Sequence, residues 1–186
     1  TDGKRRQGQP GRFANTGRMA GKVFIGVSGW RYEPWRGNFY PRGLAQSREL
    51  WHAARHFNSI ELNGSFYSLQ RPSSYALWAG QTPPGFVFAV KGGRFITHML
   101  KLRNVEAAMG NFFASGLFAL GDKLGPILWQ FPPQMRFNPE LFEAFFASLP
   151  KTTAEAAKVG LQHLHHLIAR APRLQRLVAC GIRVDP

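Results

Sequence analysis

Glu61 and Asn63 stand two residues apart in the segment FNSIELNGSFY, Phe57 to Tyr67. Side chains alternate faces along a strand with period two. A strand here puts Ile60 and Leu62 on one face and Ser59, Glu61 and Asn63 on the other. A face that carries a carboxylate and an amide is either half-exposed or lines a site. Glu61 is the candidate general acid or base, because a carboxylate beneath apolar cover suits proton transfer near neutral pH. Lys91 closes another apolar run, Phe86 to Lys91. Its amine can hold an anion, pair with Glu61 or act as a nucleophile, and the first two outrank Schiff-base chemistry. His98 lies past that run in RFITH, where a loop over a site would bring it to a proton. The bland alternatives are an ion pair kept for structure and a surface histidine.

The same alternation selects partners on neighbouring runs. Val23 to Val27 reads as a first strand closed by Ser28, Gly29 and Trp30, with Val23, Ile25 and Val27 toward the helices and Ser28 inward. Leu124 to Phe131 reads as a fourth, with Leu128 and Gln130 opposite Ile127, Trp129 and Phe131. Ser28, Asn63, Lys91 and Gln130, with Glu61 just below, then converge at one mouth unless a bulge breaks the parity. Asn63, Tyr67 and Gln130 are orienting hydrogen-bond groups. Trp30, Tyr32, Trp35 and Tyr40 cluster with Arg31 and Arg36 after the first strand. Such a loop can stack on a planar ligand or simply pack on itself.

Helices are expected between these strands. Ser47 to Phe57 carries Ser47 as N-cap. Pro72 to Ala79 is short. Asn104 to Leu120 starts at an Asn104 cap. Asn138 to Leu149 has Asn138 at N-cap and Pro139 at N1, burying Leu141, Phe142, Phe145, Phe146 and Leu149. Strand–helix alternation at this spacing implies a parallel α/β sheet, either doubly wound or part of a (β/α)8 barrel. No Gly-rich phosphate motif follows the first strand, which disfavours the nucleotide-binding version.

Composition bounds the rest. The chain has 186 residues, 44% of them hydrophobic and 16 of them Phe, enough for one sizeable core. It has no apolar run near the roughly 18 residues of a membrane span, so no membrane partner is expected. One cysteine, Cys180, and a polar, Gly-rich start point to a reducing, cytoplasmic setting. The net charge of +14 sits largely in the ends. Residues 1–22 hold six Lys/Arg and one acid, and residues 151–186 hold six and two. These basic ends support weak, non-specific nucleic-acid contact at most. His163 and His166 are three apart but lack a ligand pattern, so neither a metal nor a cofactor is expected.

VSGWRYEPWRGNFYP (Val27 to Pro41), HFNSIELNGSFYSLQRP (His56 to Pro72), GFVFAVKGGRFITH (Gly85 to His98) and LGPILWQFPPQMRF (Leu124 to Phe137) resemble, in this order and spacing, the YecE-like proteins, the domain of unknown function 72. The resemblance covers residues 23–158. It implies a TIM-barrel-like (β/α)8 fold of about 250 residues and no assigned reaction. From about residue 159 the resemblance ends. The organisation expected is therefore a disordered basic arm, residues 1–22, a partial barrel domain of about four βα units, residues 23–158, and a divergent tail, residues 159–186. Three functional readings follow. One is acid–base chemistry on a small polar or anionic ligand by an incomplete enzyme-like barrel. The second is a nucleic-acid module built from the tails and the aromatic loop. The third is a truncated, non-functional fragment. Open sheet edges would favour self-association.

Overall fold

The computed structural model describes residues 21–152 and 154–160. Residues 1–20, 153 and 161–186, with His163, His165, His166 and Cys180, lie outside the described residues, and with them the nucleic-acid reading of the ends.

Four strands form one sheet in the order β1 (Gly26–Ser28), β2 (Ser59–Leu62), β3 (Val87–Lys91) and β4 (Leu124–Leu128). Every neighbouring pair is parallel, as crossover connections through helices require. The helices are α1 (Glu49–Ala53), α2 (Gly64–Tyr67), α3 (Pro72–Gln81), α4 (Glu106–Ala114) and α5 (Pro139–Ser148). Together these make an α/β fold with a parallel four-stranded sheet.

The alternation sorts the sheet into two unlike faces. Ile60, Leu62, Phe88 and Val90 are at most 2% exposed and join a core with Leu50, Tyr75, Met109, Phe112 and Phe145 from the helices. Ser59, Glu61, Val87, Ala89 and Lys91 alternate with them and are half-buried. Leu128, paired with Lys91, is 43% exposed. This second face is uncovered among the described residues.

Several elements differ from expectation, each for a local reason. The first strand is shorter, and Val23 and Ile25 are 70% and 66% exposed rather than turned to the helices. There the Asn58 side chain holds the chain in place of a ladder, accepting from Ile25 N at 2.6 Å and donating to Val23 O at 3.0 Å. Asn104 does not cap a helix, because its φ of 50° is left-handed and an N-cap needs extended backbone. Helix α4 starts at Glu106 and ends before Gly116, whose φ of 96° turns the chain into a tight 3-10 run, Leu117–Lys123. Ser47 falls inside a 3-10 turn, Gln46–Arg48, and makes no cap bond. Asn138 does cap α5, its Oδ1 accepting from Leu141 N at 3.0 Å. On α5 Phe145 is buried, whereas Phe146 is 53% exposed. The bulge foreseen in general terms occurs at β4, where the register shifts between Phe88 and Val90. Pro126 sits in that bulged edge strand, where a missing N–H costs least.

Candidate functional site

The C-terminal ends of β1, β2 and β3 bring four polar side chains into a closed ring. Register pairs Ser28 with Glu61 and Glu61 with Ala89, and Lys91 follows one inward step later on β3. The Lys91 ammonium donates to Asn63 Oδ1 at 3.2 Å. The Asn63 amide donates through Nδ2 to Ser28 Oγ at 2.6 Å. The Ser28 hydroxyl donates to Glu61 Oε1 at 2.9 Å. Lys91 Nζ lies 3.5 Å from the same Glu61 oxygen and closes the ring. Each group takes the one role its chemistry allows. An ammonium only donates, an ionised carboxylate only accepts, and the amide and hydroxyl between them do both. Glu61 thus sits beside a cation and a hydroxyl, not beneath the apolar cover that the sequence suggested. The side chains of Glu61 and Lys91 are 22% and 14% exposed, so the pair is accessible to a small solute.

The ring is anchored from below and beside. Gly29, at φ 82°, turns the chain so that its N–H reaches Glu61 O at 2.9 Å. A Cβ there would come within 3.4 Å of the Tyr32 hydroxyl, which itself donates to the Ser28 carbonyl. Beyond this turn Trp30 plugs into the core, edge-on to Trp78 at 5.4 Å. The Tyr40 hydroxyl fixes the Trp30 carbonyl at 2.6 Å. A cavity of about 460 Å³ opens beside the ring, walled by Trp30, Tyr32, Asn63, Gln70, Leu77 and Trp78.

Four expected residues therefore meet: Ser28, Glu61, Asn63 and Lys91. Trp30 and Tyr32 border the cavity beside the ring, which Asn63 alone of the four ring residues lines, and Trp30 serves mainly as core. Three others do not join. Gln130 lies past the end of β4, is exposed and takes no part in the ring. Tyr67 is 69% exposed, because α2 begins one residue after Asn63 and carries it outward. His98 sits in a π-helical turn, Phe95–Met99, with Nδ1 2.9 Å from Thr97 Oγ1. The Phe66 ring separates it from the site, touching His98 at 5.1 Å on one hand and the Lys91 ammonium at 5.1 Å on the other. Phe66 and Ser65 escaped the sequence reading. The Ser65 hydroxyl is buried between the carbonyls of Leu62 at 2.8 Å and Lys91 at 2.6 Å, tying β2 to β3 beneath the ring. Their signal was available, since they follow Asn63 directly in NGSFY. Among the described residues no group of three or more His, Cys, Asp or Glu is placed to hold a metal, and no helix is long and apolar enough to cross a membrane.

The anchoring predicts a pH effect. The Tyr40 phenol is pushed from 10.0 up to about 12, first by burial and then by the nearby Glu49 carboxylate. The folded state keeps the proton longer than the unfolded chain does. Its stabilising contribution is therefore intact below pH 10 and is lost as the pH rises toward about 12. Tyrosinate absorbance and unfolding midpoint measured together across that window should change together, and Tyr40→Phe should flatten the midpoint curve. A tyrosinate step completed near 10 with no late component would contradict this.

Comparison with known proteins supplies the lineage. The profile of the family described as "Protein of unknown function DUF72" matches residues 24–174. The UPF0759 protein YecE of Escherichia coli K12 is 29% identical over 131 residues, covering 69% of this chain and 44% of that protein. The UPF0759 protein YunF of Bacillus subtilis is 29% identical over 116 residues, covering 60% and 40%. A solved DUF72 family protein from Enterococcus faecalis V583, EF0366, superposes with a TM-score of 0.52 at 20% identity, over 69% of this chain and 49% of that one. The chain thus spans about half the length of these relatives. With the profile covering most of its length, the chain belongs to the DUF72 family, the YecE-like proteins.

Proposed function

We propose that this chain supplies four βα units of a (β/α)8-type barrel and that the Ser28–Glu61–Asn63–Lys91 ring is the floor of its ligand site. Support for the barrel comes from the all-parallel order β1-β2-β3-β4, the core packed on one face, and an opposite face, half-buried, that mixes Ser59, Glu61 and Lys91 with Val87 and Ala89. In barrels of this kind active sites lie at the C-terminal ends of the strands, which is where the ring stands. The ligand is a small polar molecule with an anionic group. Its anion engages Lys91, and the Trp30 and Tyr32 wall receives its body. Drawing the ammonium toward the ligand removes the counter-charge from Glu61. That leaves the carboxylate free to take or return a proton on the bound molecule. The whole protein to which these units correspond would add further residues at the mouth.

The observation that carries this reading is the closure of the ring across three strands. Its test is an NMR titration with a panel of small hydroxycarboxylates, following the Asn63 side-chain amide and the Trp30 indole. A ligand of this site should move both signals together, and Lys91→Met should abolish the movement. Glu61→Gln should keep binding and lose turnover of any substrate so found. A panel that leaves both signals still, or moves them equally in Lys91→Met, would contradict the proposal.

A further inference from the structure

A second cavity, about 470 Å³, lies between the loop after β3 and the loop after β4. Lys101 and Arg103 line it from one side, Gln134 and Arg136 from the other, and His98 closes the end toward the π-helical turn. Every charged side chain in this lining is a cation, and no carboxylate lines it among the described residues. None of these residues belongs to the ring of the first site.

The backbone that presents the cations is unusual. Lys101, Leu102 and Asn104 all take left-handed φ, 49°, 67° and 50°, although none is glycine. Left-handed backbone is costly for such side chains, and persists only where the surroundings enforce it, most often at functional positions. Here the enforcing contact is Leu102, only 4% exposed and inserted in the core. With Leu102 pulled inward, Lys101 and Arg103 on either side stay exposed at the cavity. The His98 ring has Nδ1 occupied by the Thr97 hydroxyl, which leaves Nε2 as its free nitrogen. Asn138, the N-cap of α5, and Leu141 in its first turn also border the cavity; the Glu140 carboxylate in that turn offsets the positive end of the helix. Clustered cations repel one another, and a bound anion offsets that cost; a carboxylate, Glu106, shares the adjoining cavity with Arg103.

We infer that this cavity is an anion-binding site for a phosphate group carried by a small molecule. Two guanidinium groups offer the forked donors that suit phosphate oxygens, and the ammonium adds a point charge. Pro132, Met135 and Leu141 form an apolar wall for the body of the ester. A concave site of this size holds a small ligand, whereas a polynucleotide needs a long groove with stacking rings. This inference is independent of the site proposed on Lys91.

The test is a titration of the full chain with inorganic phosphate and with glycerol phosphate, following by NMR the Nε–Hε signals of Arg103 and Arg136 and the backbone amides of Lys101 and Gln134, which remain in the arginine variants. Both probes should give saturable shifts that chloride at matched ionic strength does not give, with the ester binding more tightly if the apolar wall takes its body. The double substitution Arg103→Gln with Arg136→Gln should weaken binding at least about tenfold, as lost charge-assisted hydrogen bonds imply. Both positions are exposed, and Arg136→Gln alone gives the same readout should the double variant lose its dispersed spectrum. Lys91→Met should leave this binding unchanged. The inference is overturned by shifts that chloride reproduces, by binding that survives the arginine substitutions, by binding lost in Lys91→Met, or by a single-stranded oligonucleotide that displaces phosphate more strongly than the ester does.

Discussion

Phe88→Ala is expected to lower the stability of the described fold by about 3–5 kcal/mol. Phe88 is the second residue of β3, fully buried, on the face packed against the helices. It pairs across the sheet with Ile60 on β2 and with Leu124 on β4, and its ring meets Phe86 at 5.0 Å. Truncation removes apolar contact and leaves a void that neighbours on three strands cannot all move to fill. Urea unfolding should show a lower midpoint with an unchanged slope. A loss below about 1 kcal/mol would mean that the helices do not pack on this face as described. The position matters for the site as well, because β3 carries Lys91 three residues further on.

The second large effect is expected at Arg36. Its Nε donates to Glu49 Oε1 at 2.7 Å. Glu49 is only 1% exposed, and its other oxygen has no hydrogen-bond partner among the described residues. Arg36→Ala would leave a carboxylate buried and uncompensated, which costs about 3–5 kcal/mol for a fully buried pair. The guanidinium is 37% exposed, so the low end, about 3 kcal/mol, is the expected value. Removing both charges should cost less than removing one, since well-packed apolar replacements of buried pairs are often near neutral. Arg36→Met with Glu49→Met should therefore be more stable than Arg36→Ala in the same urea assay. If the single substitution is harmless, the pair does not hold the aromatic loop. That loop supplies Trp30 and Tyr32 to the cavity wall, so the stability readout bears directly on the geometry of the site.

Most of the ring was legible in the sequence because one rule governs it. Period-two alternation fixes which side chains share a face once a strand is recognised; β3 was recognised nearly to the residue, and β2, Ser59–Leu62, is the middle of the longer Phe57–Tyr67 segment read as a strand. Glu61 and Lys91 follow from that alone, Ser28 follows from the end of β1, and Asn63, one residue past β2, follows only because the chain has not yet turned away. The rule stops where the strand stops. Gln130 was placed by extending β4 two residues past its end at Leu128. Tyr67 was misjudged because α2 begins within one residue of Asn63 and changes the period from two to that of a helix. His98 depends on a π-helical turn followed by left-handed residues, and no short pattern in RFITHMLKLRN announces either. The same turn hides the basic cavity, whose cations come from two loops far apart in sequence. The helix that was capped by Asn138 and Pro139 was read correctly because both signals act locally. The one expected from Asn104 was not, since tertiary burial of Leu102 overrode the local cap preference.

The most direct test of the account is the state of the Lys91 ammonium before any ligand is added. Held by Asn63 and Glu61, it should exchange its protons slowly enough to give a resolved ammonium correlation in a cold, mildly acidic ¹H–¹⁵N spectrum. That signal should vanish in Lys91→Met and move in both Glu61→Gln and Asn63→Ala, because the first removes the charge paired with the ammonium and the second removes its Oδ1 acceptor. A Lys91 signal indistinguishable from those of exposed lysines, or unmoved by either substitution, would contradict the closed ring and the ligand site built on it.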